Sequence, residues 1–166
     1  MEQHNPSIRA MGWARSLPVS SGVRAGRRWA REHLAELGWT AQAPDTADSV
    51  VLTVSELITN AHIHARSDAV LVLTWDGECL HVSVHDSSTQ LPRRGDAGAG
   101  ATSGRGLAIV AALADDWQAR PEPLGKTITA SFHPVVAQAP AHPEATAPGL
   151  GTLGPPGADP PGPEPE

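Results

Sequence analysis

The longest amphipathic pattern in the chain runs from Asp45 to Ala65 and predicts a helix. On a wheel of about 100° per residue, apolar side chains gather on one broad face that we assign to the core. These residues are Ala47, Val50, Val51, Val54, Leu57, Ile58, Ala61 and Ala65. The neighbouring stripe carries Ser49, Thr53, Glu56, Asn60 and His64, with Leu52 and Ile63 along its far side. Since a stripe facing bulk water needs no apolar border, we expect this one to face a cleft.

Alternation of apolar and polar residues predicts a strand pair after this helix. A nearly continuous apolar run over 69–75 leads into Asp76-Gly77, a hairpin turn signal, and a return strand follows over 80–86. The apolar face of the return strand carries Leu80, Val82 and Val84. Parity places Asp86 on the same face. A carboxylate there is costly unless donors reach it, so we expect the core to open into a pocket at this strand's end.

Shorter patterns complete the expected fold. They are an edge strand over 13–19, a helix over 23–37 capped by Ser20 or Ser21 and ended by Gly38, a buried helix over 107–114, and strands over 117–120 and 127–133. Together they predict an α/β two-layer sandwich, with the helices on one face of a mixed, mostly antiparallel sheet.

Composition divides the chain into a domain and two tails. Residues 1–12 lack periodicity, and we expect them to be disordered. The folded domain is predicted over 13–136. Residues 137–166 are rich in Pro, Gly and Ala and contain no Lys, Arg, Phe, Trp or Tyr. Such a segment cannot bury enough apolar surface to fold, so we expect a disordered tail.

Charge and cysteine content limit the class of protein. The net charge is −6, which argues against general nucleic-acid binding. We interpret an early cluster of arginines as solvated helix surface, with a phosphate or partner patch as the alternative; it comprises Arg9, Arg15, Arg24, Arg27, Arg28 and Arg31. The lone Cys79 permits no intramolecular disulfide, and no apolar run approaches the ~20 residues that span a bilayer. We therefore expect a cytoplasmic protein without a membrane partner.

The polar stripe of the central helix contains the candidate chemistry. Glu56, Asn60 and His64 are spaced i, i+4 and i+8, which stacks them about 6 Å apart. A carboxylate can accept a proton, and an amide oxygen can ligate Mg²⁺. His62 is predicted to be exposed. It cannot share a metal ion with His64, because residues i and i+2 point about 200° apart on a helix.

A second candidate site is Ser103-Gly104-Arg105-Gly106, directly before the predicted helix over 107–114. Backbone N–H groups at a helix N-terminus, unobstructed by Cβ atoms, can seat a phosphate. Taken alone, the segment is equally compatible with a plain flexible loop.

The order of these features resembles the GHKL superfamily of ATPases and kinases. Ser55–Ala65 (SELITNAHIHA) resembles its N-box, and Gly104–Trp117 (GRGLAIVAALADDW) resembles its second glycine box and the helix after it. The branch of bacterial anti-sigma-factor serine/threonine kinases is the most similar. The resemblance covers about residues 20–135 and implies a Bergerat-type fold that binds ATP with Mg²⁺.

The resemblance also implies roles for individual residues. Glu56 would be the general base, Asn60 would hold Mg²⁺, and Asp86 would accept a hydrogen bond from the adenine amino group. The remaining ATP-binding residues would be His64, Ser88, Ser103, Gly104, Arg105, Gly106, Leu107 and Thr127, with Gly95–Ser103 as a lid. Strand alternation places Thr127 on the face opposite to Ile128, which makes its contact with adenine the weakest of these assignments.

Two positions depart from the family pattern. Ser87 to Gln90 follow Asp86 where the family has D-x-G-x-G, and Thr102 stands where the kinases have a basic residue before Ser-Gly-x-Gly. Arg105, Arg93 or Arg94 are the candidate substitutes for that basic residue.

The resemblance implies a regulatory protein that binds Mg-ATP. We expect a serine/threonine kinase that acts on a small anti-sigma-factor antagonist and sequesters a sigma factor. Relatives of this branch are commonly dimers, so a homodimer is a further expectation. The alternatives are a nucleotide-gated protein-binding module without phosphoryl transfer and a catalytically silent scaffold.

Overall fold

The computed structural model describes residues 11–91 and 102–137, and for 102–105 it describes the backbone. The elements in chain order are β1 (Met11–Leu17), a 3₁₀ turn (Val19–Ser21), α1 (Gly22–Glu36), α2 (Trp39–Gln42), α3 (Pro44–Thr59), a π turn (Asn60–His64), β2 (Ala69–Trp75), β3 (Leu80–Asp86), α4 (Thr102–Leu113), β4 (Asp116–Glu122) and β5 (Gly125–Phe132).

The strands form one open sheet in the order β1-β2-β3-β5-β4, and every pairing between them is antiparallel. The predicted edge strand is confirmed, because β1 pairs with β2 and with no other strand of the described residues. It begins at Met11, so Met11 and Gly12 belong to the sheet and not to a loose terminus.

The helices pack on one face of this sheet and confirm the predicted two-layer α/β sandwich. The alternation of β3 is also confirmed, since Leu80, Val82 and Val84 are at most 2% exposed. Helices α1 and α3 approach each other closely at Gly26 of α1. A Cβ there would overlap Ile58 Cδ1 of α3, so any other residue at position 26 would force the buried Ile58 side chain to shift.

Two details of the helices differ from the sequence prediction. Ser21 does precede α1, but its hydroxyl donates to the Pro18 carbonyl (2.7 Å) and makes no cap hydrogen bond to the helix. The helix predicted over 107–114 begins earlier, at Thr102, and is not buried throughout. Val110 is fully buried, whereas Ala111 and Ala112 are exposed, because α4 packs at the margin of the helical layer.

The predicted central helix changes its winding before its end. α3 is α-helical to Thr59, and the Ala65 N–H then donates to the Asn60 carbonyl, an i to i+5 bond of 3.0 Å. A π turn shifts the following side chains relative to an α-helical wheel. The prediction that His62 is exposed is therefore wrong. Its side chain is buried, with Nε2 2.8 Å from the Leu17 carbonyl oxygen.

No helix in the two described ranges combines the length and the apolar character needed to cross a bilayer.

Candidate functional site

The candidate base lies against the start of α4. A Cβ on Gly106 would lie 2.8 Å from Glu56 Oε2, which is closer than real Cβ contacts allow. The half-buried Glu56 carboxylate of α3 thus occupies the space that any other residue at position 106 would fill. The structure therefore brings together Glu56 and the glycine segment, which lie 50 residues apart in the chain.

Asn60 is the first residue of the π turn, and this turn packs against both β3 and α4. Its side chain is buried, and Oδ1 has no hydrogen-bond partner in the described part of the chain. The Thr53 hydroxyl, on the same predicted stripe, is in the same situation. Leaving a buried acceptor unsatisfied costs about 1–3 kcal/mol, which points to a ligand for Asn60.

Asp86 lies at the end of β3 on the face that the helices cover, and it is 1% exposed. The predicted need for donors is confirmed. Lys126 Nζ lies 2.9 Å from Oδ1 and 2.8 Å from Oδ2, and the Ser88 N–H donates to Oδ1 (2.9 Å). Gly125 permits this pairing of β3 with β5, because a Cβ there would overlap the Asp86 carbonyl oxygen.

Lys126 is the residue of this candidate site that the sequence prediction missed. It pairs with Asp86 in the sheet register and is 4% exposed. The parity argument that placed Asp86 among buried residues also applies to β5. Lys126 shares the inward face of that strand with Ile128, Ala130 and Phe132. A lysine at the end of an apolar face was the signal that could have revealed it.

The candidate phosphate seat differs from the prediction in its secondary structure. Ser103, Gly104 and Arg105 lie within the first turn of α4 and not in a loop before it. The first four N–H groups of any α-helix lack acceptors within that helix, so the first turn still presents donors. The side chains of 102–105 and the part of the predicted lid over 95–101 lie outside the described residues.

The remaining predicted site residues lie in different surroundings. His64 is exposed at the end of the π turn, and Leu107 is half-buried against the core. Ser88 is half-buried beside Asp86, with its hydroxyl 3.3 Å from the Gln90 N–H. Thr127 is on the sheet face away from the helices, where its hydroxyl donates to Glu122 (2.8 Å) and lies 3.1 Å from His85 Nδ1. The alternation that set Thr127 apart from Asp86 is thus observed.

An open antiparallel sheet with helices on one face, and with Asn60, Glu56 and Asp86 at the sheet's helical side, defines a GHKL-type α/β domain. The model of the histidine kinase-like ATPase domain family matches residues 20–132, and the chain belongs to this family.

The chain is also similar to a solved structure, the RsbU and RsbW domains of Rv1364c from Mycobacterium tuberculosis. The TM-score is 0.57 at 21% sequence identity, and the match covers 75% of this chain and 32% of that chain. This similarity supports the assignment of the fold. A search of curated proteins returned no match.

Proposed function

We propose that this chain is a regulatory protein that binds Mg-ATP and transfers phosphate to a serine or threonine of a small antagonist protein. The single observation that supports this most directly is the Asn60 amide oxygen. It is buried and without a hydrogen-bond partner among the described residues, and it lies one helical turn beyond Glu56. Its position suits a ligand that arrives from outside the chain.

The Asn60 environment fits a magnesium ion. Mg²⁺ takes oxygen ligands and commonly binds one or two protein groups plus the phosphates of a nucleotide. Asn60 Oδ1 would supply the protein ligand, and the bound ion would neutralise charge on the phosphates. The N–H groups of the first turn of α4 would hold the phosphate oxygens.

The position of Glu56 beside Gly106 supports the proposal that it is the general base. In the proposed reaction, the hydroxyl oxygen of the substrate forms a bond to the γ-phosphorus, and the bond from that phosphorus to ADP breaks. The hydroxyl proton goes to the Glu56 carboxylate. This carboxylate lies beside Gly106, close to the N-terminal turn of α4, where the phosphates would bind.

The choice of a small antagonist protein as substrate, with a sigma factor as the sequestered partner, rests on the similarity to an RsbW domain and on the family resemblance. A cytoplasmic location and a homodimer belong to the same proposal. The second candidate function is a nucleotide-gated binding module without kinase activity. It is favoured by Thr102, which stands where the kinases have a basic residue near the terminal phosphate.

Binding is tested first, by calorimetric titration of the full chain with ATP in the presence and absence of Mg²⁺. We expect saturable binding that weakens at least tenfold without Mg²⁺, and a matching loss of the Mg²⁺ effect in Asn60→Leu. A thermal shift with ATP provides an independent readout, since a ligand that binds only the folded state stabilises it. Absence of binding in both assays would exclude the kinase and the gated module together.

Phosphoryl transfer is tested with radiolabelled ATP and candidate small antagonist proteins. We expect labelling by the unmodified chain and by Glu32→Gln, an exposed control on α1, but a loss of at least 100-fold in Glu56→Gln, the range of one general base. ATP binding should persist in Glu56→Gln. Binding by all three proteins with label transfer by none would support the gated module instead.

A further inference from the structure

The Asp86–Lys126 pair lies where the resemblance places the adenine contact, and the proposed reaction leaves Lys126 without a role. The two side chains are 1% and 4% exposed, so the Lys126 ammonium donates to the Asp86 carboxylate inside the protein and away from bulk water. Charged groups this deeply buried interact strongly with whatever else reaches them. A base that contacts Asp86 must therefore also meet the ammonium group.

The hydrogen-bonding capacity of this pair is only partly used. Among the described residues, Asp86 Oδ1 accepts from Lys126 Nζ and from the Ser88 N–H, whereas Oδ2 lies 2.8 Å from Lys126 Nζ and contacts no further donor. A carboxylate oxygen can accept about two hydrogen bonds, so Oδ2 retains one acceptor site. The ammonium has three N–H groups, and its contacts with the two oxygens of Asp86 use at most two of them. The third has no partner in the ranges that the structure describes.

A free acceptor and a free donor therefore lie side by side, on atoms 2.8 Å apart. The Watson–Crick edge of a purine also has two neighbouring polar atoms, the substituent on C6 and the ring nitrogen N1. Adenine presents a donor and then an acceptor there. A 6-oxopurine such as hypoxanthine or guanine presents the reverse order, an acceptor followed by a donor.

We propose that Lys126 is a base-recognition residue and that the Asp86–Lys126 pair admits 6-oxopurine as well as 6-aminopurine nucleotides. This inference rests on the proposed nucleotide-binding function. With adenine, the amino group donates to Oδ2 and N1 accepts from Nζ. With a 6-oxopurine, O6 accepts from Nζ and the N1–H donates to Oδ2. A carboxylate without the lysine would repel O6, because two acceptors would face each other.

The test on the unmodified chain uses calorimetric titration with ATP, inosine triphosphate and 1-deaza-ATP, in which N1 is replaced by C–H. We expect inosine triphosphate to bind within about tenfold of ATP, because each base satisfies both groups. We expect 1-deaza-ATP to bind at least tenfold more weakly, because Lys126 then loses its acceptor. The inference would be overturned if 1-deaza-ATP bound as tightly as ATP and the affinity for inosine triphosphate were more than 100-fold lower than that for ATP. That result would leave the proposed function intact.

Two variants assign the effect to Lys126. Lys126→Met should weaken the binding of inosine triphosphate at least tenfold relative to that of ATP. It should also remove the difference in affinity between ATP and 1-deaza-ATP. Lys126→Arg, which keeps a cationic donor, should bind the three nucleotides with the same order of affinities as the unmodified chain. A purely structural ion pair would change all three affinities equally, which would contradict the inference. If Lys126→Met does not fold, the nucleotide series with the unmodified chain and Lys126→Arg remains decisive. Absence of binding by all three nucleotides would instead refute the proposed function and the inference with it.

Discussion

The burial of Asp86 could be predicted from the sequence, whereas its ion-pair partner Lys126 could not. The parity of β3 predicted a buried carboxylate that requires donors, and the structure confirms both points. The identity of the main donor depends on the register between β3 and β5, which pairs Asp86 with Lys126. That register joins strands with 38 residues between them, so local periodicity carries no information about it.

The buried pair predicts a non-additive effect on stability. Lys126→Met should lower the free energy of unfolding by about 3–5 kcal/mol, because it leaves a buried carboxylate without its counter-ion. Adding Asp86→Asn should restore part of that loss, since the remaining amide carries no charge. Urea denaturation followed by circular dichroism measures both variants. A double variant less stable than Lys126→Met alone would contradict this account of the pair.

Asp76 predicts a change of stability in acid. The hydrogen bond from His81, helped by the N–H groups of Cys79 and Glu78, lowers the pKa of Asp76 from 3.8 to about 2. Between these values the unfolded chain binds the proton more readily than the folded one. The stabilisation by Asp76 is therefore complete above about pH 4 and is lost as the pH falls towards 2.

We expect Asp76→Asn to be less stable than the unmodified chain at pH 6 and to approach it in stability at pH 2.5. Denaturant titrations at both pH values measure the difference. The exposed Asp48→Asn on α3 is the matched control, and its difference from the unmodified chain should change little between the two conditions. A difference for Asp76→Asn that is constant with pH would contradict the assignment to this carboxylate.

At the scale of one element, the helical wheel failed to predict the π turn at the end of α3. The wheel assumes one angular step per residue, and the i to i+5 bond from Ala65 to Asn60 breaks that assumption. His62 consequently lies in the protein interior against the Leu17 carbonyl, and His64 is exposed. The part of the stripe from Thr53 to Glu56 lies before the π turn, and there the wheel and the observed burial agree, since Thr53 is buried and Glu56 is half-buried.

The two histidines of this turn offer a matched pair of substitutions. His62→Leu should lower the free energy of unfolding by about 1–3 kcal/mol, because the Leu17 carbonyl loses its buried donor. His64→Leu, two residues later and exposed, should change it by no more than about 0.5 kcal/mol. Chemical denaturation at pH 7.5 measures both, and equal effects would contradict the burial of His62.

At the scale of the whole molecule, residues 133–137, which follow β5, form backbone hydrogen bonds to distant parts of the fold. The His133 N–H donates to Asp115 (2.6 Å), the Val135 N–H to the Thr46 hydroxyl (3.0 Å), and the Ala137 N–H to the Gln42 carbonyl (2.8 Å). These bonds tie the end of the sheet back to α2 and to the first turn of α3. These contacts extend to Ala137, and the domain end at residue 136 stays a prediction.

Two shortened chains test how much these hydrogen bonds contribute to the free energy of unfolding. A chain that ends at Ala137 should match the full chain within about 0.5 kcal/mol, because the removed composition cannot build a core. A chain that ends at Phe132 should lose about 1–3 kcal/mol with the three hydrogen bonds. Thermal and urea unfolding compare the three lengths. Equal stability of the two shortened chains would show that residues 133–137 contribute nothing.

The sequence by itself determined the features that depend on neighbouring residues. These are the period of α1, of α3 up to Thr59 and of the strands, the faces that α3 and β3 bury, the edge position of β1 and the order of motifs that indicates the family. They follow from side-chain direction, which repeats every 3.6 or 2 residues and can be read without knowing the fold. The core face of α3 and the buried Asp86 were predictable for this reason.

Only the tertiary structure decided which distant groups meet. The ion pair of Asp86 with Lys126 depends on strand register, and the contact of Glu56 with Gly106 depends on how α4 packs against α3. Both contacts are set by the packing of whole elements. The free energy of that packing comes from the entire core, and no local pattern of residues contains it.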